Sequence, residues 1–500
     1  MATGQSATIP APILGLNARD GLGDMDARFG IVLDNVIAQN GSVDVRGGTS
    51  EHATGMSDAV ESLIPWNGPS SNKLFAVNAG NIYNVTTNGA VGAADVSGLS
   101  NSRFQYQNIS TSGGNFVFVV NGADAPRHYN GSTWATPSIT GITASNANNV
   151  YLHANRLWLA LNGDINAYYL PTSAIAGAAT QFPLGAVFRE GGSLQAMISI
   201  SRDSGAGMDD YLAFISSNGE VAIYQGTDPS SADTWALVGL YRTGRPIGKR
   251  CAFKYAADGV VITEDGIVSL SKLMANDRYG QVALTDIINQ KFNLDARTYG
   301  SQFGWQGLIY PRGKWLIINV PQMEGEQQVQ YIMNTVTGAW STFSNINANC
   351  FAISGDDIYF GGNDGRVMIA DSGYADDGEN INFTIKTSYQ YFGFRGIKKF
   401  FKMIQPLFGT SGTINFGMGI NVDFADTAQP TYSTGSLSSG WSWGDAWGSI
   451  IWGGGNYVRK VLKGLNKSGN VGSVVFSGST RGSSVSVYSF DIVFERGSIL

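Results

Sequence analysis

Val260-Val-Ile-Thr-Glu-Asp-Gly-Ile-Val268 decides the fold. An apolar run meets a tight Asp-Gly turn and is followed at once by a second apolar run. Asp-Gly and Asn-Gly are strong hairpin signals, because both turn residues accept positive φ. The same pattern recurs outward from this segment. Leu74-Phe-Ala-Val77 leads to Gly80 and Ile82-Tyr-Asn-Val85. Phe116-Val-Phe-Val-Val120 leads to Asn121-Gly122, and Leu157-Trp-Leu-Ala-Leu161 leads to Asn162-Gly163. Tyr211–Ile215 precedes Asn218-Gly219 and Val221-Ala-Ile-Tyr224. Trp315–Val320 precedes Gly325, and Ile358-Tyr-Phe360 precedes Asp364-Gly365 and Val367-Met-Ile369.

The turn glycines are Gly80, Gly122, Gly163, Gly219, Gly266, Gly325 and Gly365. Their spacing returns repeatedly to a base period of about 40–47 residues, with insertions, which is that of four-stranded propeller blades. A tryptophan follows three of them 12 to 16 residues on: Trp134 after Gly122, Trp235 after Gly219 and Trp340 after Gly325. An aromatic at a fixed place in each blade is expected to pack between neighbouring blades. The expected fold is all-β: a central β-propeller of six to seven blade-like repeats, with a β-sandwich-like platform domain and an N-terminal arm. A series of sandwiches with coincidental spacing is the competing architecture.

Composition supports the all-β class. Charged residues are 14% of the chain, against ~25% in an average globular protein. Glycine is 65 of 500, nearly twice its usual ~7%. Hydrophobic residues at 43% and aromatics at 11% give ample surface to bury, which excludes a disordered chain. Net charge is 32 − 38 = −6, without the basic excess of a phosphate-gripping protein. The nearest basic clusters are Arg242, Arg245, Lys249 and Arg250, and Arg395, Lys398, Lys399 and Lys402, which read mainly as solvated loop charge. No secretory signal is expected in Met1–Pro10, and no apolar run approaches the ~18 residues of a membrane helix.

The flanks have another texture. Residues 1–65 show no hairpin repeat and are expected to form an arm packed on the platform, with Met25–Ala38 and His52–Leu63 as short helices or irregular segments. Residues 66–380 are assigned to the propeller and 381–500 to the C-terminal platform. The best helix candidate in the centre is Val282–Phe292, where apolar residues are spaced for one face.

Catalytic and metal motifs are each incomplete. Gly440-Trp-Ser-Trp-Gly444 matches a nucleophile elbow around Ser442, but His52, His128 and His153 all lie upstream and no helix pattern follows. Gly244–Arg250 falls just short of a phosphate loop, and Arg250 stands where Ser or Thr would hold magnesium. Three scattered histidines with Cys251 and Cys350 give no zinc spacing, and whether the two cysteines pair is left open. Asp371, Asp376, Asp377 and Glu379 offer oxygen ligands for calcium in an order that does not fit an EF-hand, so a solvated loop is preferred. Gly131-Ser-Thr-Trp134 fits half of a sialidase turn, with Arg127 and Tyr129 at the required Ser and Asp positions. The expectation is a protein that is not an enzyme and carries no cofactor.

The most unusual stretch holds Trp441, Trp443, Trp447 and Trp452 among Gly440, Gly444, Gly448, Gly453, Gly454 and Gly455. Glycines permit close backbone approach, and tryptophans supply large contact area. These four tryptophans are the candidate subunit interface, with packing inside the C-terminal domain as the alternative. Two further segments carry a family resemblance. Pro12-Ile-Leu-Gly-Leu-Asn-Ala-Arg-Asp20, with Met25-Asp26, Val32-Leu-Asp-Asn35 and Gly41–Gly47, resembles the start of short-tailed bacteriophage tail nozzles, also called tail tubular protein B or tail hub. Ser489-Phe-Asp-Ile-Val-Phe-Glu-Arg-Gly-Ser-Ile-Leu500 resembles their closing strand. The Trp/Gly-rich stretch fits as well; the region between matches in architecture rather than in residues.

The resemblance implies a structural virion protein, made in the host bacterial cytoplasm and located in the virion tail. It implies a homo-hexameric nozzle docked to the head-to-tail adaptor protein. Tail fibres or a tail needle would be its other partners, and genomic DNA would pass through its lumen without specific binding during ejection. Six copies carry 6 × −6 = −36, so a neutral or acidic lumen wall is expected, with Lys398, Lys399 and Lys402 at subunit or partner contacts. The alternatives are a receptor-binding or glycan-degrading tail protein, or a propeller lectin or glycosidase.

Overall fold

In the computed structural model, residues 4–203, 208–275, 283–412, 414–425, 435–437 and 457–499 are described. The chain is all-β, built of many small sheets, and propeller-like. Seven small antiparallel strand groups, here called sheets, follow one another along the sequence; the sixth is one end of a ten-stranded sheet that continues into the C-terminal region, and the seventh is part of a five-stranded sheet. The first contains Val60–Asn67, Asn72–Asn78 and Asn81–Asn84. The second runs Gln105–Thr111, Gly114–Val120, Arg127–Tyr129 and Trp134–Ala135. The third has Ala147–His153, Arg156–Leu161, Ala167–Tyr169 and Thr180–Phe182. The fourth has Leu194–Asp203, Met208–Ser216, Glu220–Gly226 and Trp235–Arg242. The fifth is Ala252–Tyr255, Asp258–Thr263 and Gly266–Ser269. The sixth is Gln306–Tyr310, Trp315–Met323, Gln327–Asn334 and Trp340–Phe343. The seventh is Ala348–Ser354, Asp357–Gly362 and Val367–Ala370.

Every turn glycine of the sequence repeat joins the second strand of its sheet to the third. All seven have positive φ, from +72° at Gly163 to +131° at Gly266. The second strands are apolar runs rather than alternating ones because they are covered on both faces. Val117–Val120, Leu157–Leu161 and Leu316–Val320 are buried residue after residue. Trp134, Trp235 and Trp340 each begin a fourth strand. Trp235 stacks on Trp158 of sheet three at 5.6 Å and 18°, and Trp134 meets Phe75 of sheet one edge-on at 5.0 Å. Trp340 donates from Nε1 to the Leu284 carbonyl, in the connection that leaves sheet five. Two of the three thus bridge adjacent sheets directly.

The first strands touch in sequence from sheet one to sheet seven, and Ala348–Ser354 of sheet seven touches Val60–Asn67 of sheet one. Thr49–Thr54, immediately before sheet one in the chain, pairs antiparallel with Val367–Ala370 and so supplies the fourth strand of sheet seven. The local geometry repeats accordingly. A Cβ on Gly219 would meet the Thr243 carbonyl, where the chain leaves the fourth strand of sheet four, at 2.5 Å. A Cβ on Gly365 would meet the Met56 carbonyl, where the chain leaves Thr49–Thr54, at 2.3 Å.

The C-terminal region is a sandwich. One layer carries Ile381–Thr387, Gly472–Thr480 and Ile414–Val422; the other carries Ile397–Thr410, Val485–Ile499 and Gln5–Pro10. Phe476 of the first layer lies between Phe408 and Phe490 of the second, at 5.8 and 5.9 Å. Phe29–Asp34 joins the first layer to sheet six, pairing with Ile381–Thr387 on one side and with Thr342 on the other. Arg46, 1% exposed, locks this junction: Nε donates to Asn35 Oδ1 and both terminal nitrogens reach the Asp376 carboxylate, at 2.8 and 2.6 Å.

Several local expectations need correction. Met25–Ala38 and His52–Leu63 are not helical: Phe29–Asp34, Val36–Ala38, Thr49–Thr54 and Val60–Asn67 are strands. Residues 1–65 supply strands to four sheets, and the expected boundary at 65/66 falls inside Val60–Asn67. The central helix begins later than expected, at Asn289–Tyr299. Residues 283–288 instead bridge back to sheet five through the Leu284 N–H, which donates to the Ile267 carbonyl.

Candidate functional site

Antiparallel pairing puts the start of each first strand beside the end of the second, as in Gln105 opposite Val120 and Ala147 opposite Leu161. The residues at these ends meet around a cavity of about 280 Å³. Sheets two and three contribute Gln105, Asn121, Asn148 and Asn162; the approach to sheet five contributes Lys249 and Arg250. Phe303, ahead of sheet six, forms part of the wall, and Arg103 and Arg250 lie 4.2 and 5.2 Å from its ring centre.

Amides dominate the lining and are ordered by one another. Asn148 Nδ2 donates to Asn162 Oδ1 at 2.7 Å, and Asn162 Nδ2 donates to the Gly122 carbonyl at 2.6 Å. Gln195 Nε2 donates to the Gly248 carbonyl at 2.6 Å, and Lys249 Nζ donates to Gln195 Oε1 at 3.2 Å. Arg250 Nη2 donates to the Glu61 and Phe104 carbonyls and to Ser62 Oγ, at 3.0, 3.1 and 2.7 Å. Two buried polar atoms among these residues have no partner: Arg250 Nη1 and Asn148 Oδ1.

The electrostatics are lopsided. Arg103, Lys249 and Arg250 line the cavity and no carboxylate does. Arg103 is neutralised from outside by Glu61 and Glu324, at 2.9 and 2.7 Å. Lys249 and Arg250 make no ion pair among the described residues. Burial pushes the pKa of both below its ordinary value, because the charged form has lost water. Chemically, this is a small donor-rich site with spare positive charge.

The sequence-derived candidates are placed as follows. Trp441, Trp443, Trp447 and Trp452, with Ser442, lie outside the described residues. Gly244–Arg250 leads into sheet five with Gly248 at φ +69°, and no helix follows it. The acidic stretch is held by arginines: Asp376 by Arg46 and Asp377 by Arg366 at 2.7 Å. Among the described residues no group of three His, Cys, Asp or Glu is arranged to hold a metal ion. Cys251 and Cys350 are separate, buried, free thiols. Gly131-Ser-Thr-Trp134 includes the turn between the third and fourth strands of sheet two, with the Ser132 and Thr133 N–H groups donating to Asn130 Oδ1. Lys399, expected at a subunit or partner contact, is instead fully buried, and its ammonium donates to the carbonyls of Phe394, Ile397 and Asn470 at 2.6, 2.9 and 2.7 Å. Lys402 pairs with Glu495 at 3.3 Å on its own sheet.

The sequence alone does not reveal the cavity. Asn121-Gly122 and Asn162-Gly163 read as turns, and that is the only signal they give. A turn dipeptide does not show that its amide faces a neighbour's.

No protein-family model matches the chain, and no curated protein matches it. Among solved structures it is similar to BBS1N in complex with ARL6DN, at 10% identity and a TM-score of 0.40, over 65% of this chain and 97% of that one. It is also similar to the computationally designed Ika8 protein, at 10% identity and a TM-score of 0.38, over 64% and 99% of the two chains. A third is Chaetomium thermophilum Raptor, at 11% identity and a TM-score of 0.40, where the match spans 65% of this chain and 28% of that one.

Proposed function

We propose that the chain is a structural subunit of a short-tailed bacteriophage tail, the nozzle below the adaptor ring. Six copies form a ring that extends the DNA channel and carries tail fibres or a needle. In this reading the seven small sheets are the blades of a closed propeller, shut by Thr49–Thr54, and the C-terminal sandwich with the N-terminal strands is the platform. The protein acts by assembly rather than by catalysis.

One observation carries the reading. The two segments that resemble nozzles lie near opposite ends of the sequence, yet Val43–Val45 of the first shares a sheet with the second. Gln5–Pro10 leads directly into the first of them and pairs in unbroken register with Ser489–Phe494 of the second. Val43–Val45, within the first, pairs with Ser486 and Val487 beside it. A resemblance split between two distant segments is coherent when the halves meet in one sheet, as these do in part.

Negative-stain microscopy of the purified protein tests the assembly: rings of six are expected, and a uniformly monomeric protein at high concentration refutes it. Alanine at Trp441, Trp443, Trp447 and Trp452 together is expected to abolish rings and leave a folded monomer, since a buried interface tryptophan contributes ~2 kcal/mol or more. Rings that survive this change count against the tryptophan interface. In a hexamer structure, acidic and neutral side chains are expected to outnumber Lys and Arg on the lumen wall. A net basic wall would mean that the ring grips DNA.

A further inference from the structure

The seven-stranded sheet that forms the second layer of the sandwich has two unlike edges. Tyr457–Lys460 and Lys463–Gly469 flank Ile397–Thr410 at one edge; Val43–Val45 and Val36–Ala38 lie at the other, beyond Val485–Ile499. The first edge is basic and apolar. Residues 457–469 hold Arg459, Lys460, Lys463 and Lys467 and no carboxylate. Lys463 is spent inside the sandwich, where it donates to the Met418 carbonyl at 2.8 Å. Lys398 and Lys467 are exposed, and neither is in an ion pair among the described residues. Leu462, Phe400 and Met403 are also open to water, at 57%, 42% and 41%. Met403 lies opposite Gly464, two residues from Leu462. Large apolar side chains gathered at one edge mark a contact surface. The far edge is its complement. An open groove of about 600 Å³ runs between it and sheets six and seven. Buried Ile37, Val45 and Trp315 supply its apolar lining, Asp44 and Asp371 are its charged groups, and no Lys or Arg lines it.

We propose that this groove receives the lysine-bearing edge of a second copy of the chain. Lys398 and Lys467 of one protomer meet Asp44 and Asp371 of its partner, and Leu462, Phe400 and Met403 cover the apolar part of the groove. Two features select a second copy as the occupant. Both halves of the match, cation to carboxylate and apolar to apolar, are written in one sequence. They also lie at opposite edges of one sheet, so each copy gives an edge and takes an edge in the same direction. Head-to-tail contacts of this kind close into a ring when the rotation between copies closes. Each chain carries a net −6, which opposes the approach of copies in general. A local meeting of opposite charges overcomes that and fixes which surfaces dock.

The inference rests on the ring of the nozzle reading, and sedimentation velocity on the full chain separates the two. Wild-type association is expected to weaken as salt rises from about 0.05 to 0.5 M, because screening shortens the reach of the charges. Lys398→Glu with Lys467→Glu is expected to weaken it roughly a hundredfold or more, since two attractions become repulsions. Asp44→Lys with Asp371→Asn is expected to do the same from the other side. Each double variant alone then sediments as a folded monomer. Mixed in equal amounts the two are expected to reassemble, because in an alternating ring every contact again joins opposite charges. If Asp44→Lys fails to fold, Asp44→Asn keeps the side-chain shape and is expected to weaken association about tenfold, the usual worth of a charged hydrogen bond. Wild-type association in folded variants, or no reassembly on mixing, overturns the inference and leaves the nozzle reading standing. A wild-type chain that stays monomeric at high concentration overturns both.

Discussion

Replacing Gly365 with alanine tests the closure of the small sheets by the strand Thr49–Thr54. Gly365 has φ +77°, where a Cβ costs ~1–2 kcal/mol. That Cβ would also lie 2.3 Å from the Met56 carbonyl oxygen. Real contacts hardly occur below 3.0 Å, so 3.0 − 2.3 = 0.7 Å of backbone movement is forced. Shifts of that kind add roughly 1–3 kcal/mol. Gly163 is the internal control: φ is +72°, and nothing lies within 4 Å of its would-be Cβ. Gly163→Ala therefore costs the φ strain alone. Hydrogen exchange reads the difference where it falls, on the amides of Thr49–Thr54 and Val367–Ala370. Gly365→Ala is expected to raise their exchange by roughly 5- to 150-fold over Gly163→Ala, the kinetic equivalent of those 1–3 kcal/mol. Equal effects of the two substitutions, or loss of protection spread evenly over all sheets, would refute the claim that Gly365 abuts the closing strand.

Three further outcomes are expected. Lys399→Met leaves three part-buried carbonyls without a donor and should destabilise the sandwich by ~1–3 kcal/mol; an unchanged melting temperature would contradict the ammonium's anchoring role. Burial pushes His153 down to about 4, so between that value and its ordinary ~6.5 the unfolded chain binds the extra proton. Its stabilising contribution is complete above ~6.5 and declines as pH falls through about 4, by roughly 3 kcal/mol in all. His153→Gln should flatten that part of the stability–pH curve, seen in urea titrations between pH 7 and 4. Cys251 and Cys350 are pushed up by burial to about 12 and about 11. Both should resist a maleimide at pH 8 in the native protein and react fully in denaturant, and labelling of the native protein would place a thiol at the surface.

The repeat was legible because its markers are local. A glycine at φ +131°, such as Gly266, is required by the turn itself, whatever the rest of the chain does. The fourth-strand tryptophans were legible for a similar reason, as large side chains a short distance, 12 to 16 residues, beyond those turns. The N-terminal strands were not. Phe29–Asp34 and Thr49–Thr54 are short and mixed in polarity, and they pair with Ile381–Thr387 and Val367–Ala370, far along the chain. Nothing within a local window distinguishes them from an arm. Lys399 misled because lysine in a basic run reads as solvated charge, and only tertiary structure supplies three carbonyls around it. The cavity was hidden for the same reason: Asn121, Asn148 and Asn162 are turn and strand-end residues singly, and a site only together.

The pairing of Thr49–Thr54 with Val367–Ala370 imposes an order on synthesis. The strand leaves the ribosome early, and most of the chain must follow before its partner is made. At ~5–20 residues/s, the nascent chain carries that strand unpaired for roughly 15–60 s. Gln5–Pro10 waits longer still, since Ser489–Phe494 emerges later. Through that interval both segments present open backbone edges, the feature that invites pairing with other chains. Thr49–Thr54 carries Glu51 and His52 within it, and a charge on a waiting strand discourages such encounters. A chain stopped before Val367 cannot close sheet seven, and one stopped before Ser489 cannot bring its two ends together. Premature termination products would thus lack the joined surface.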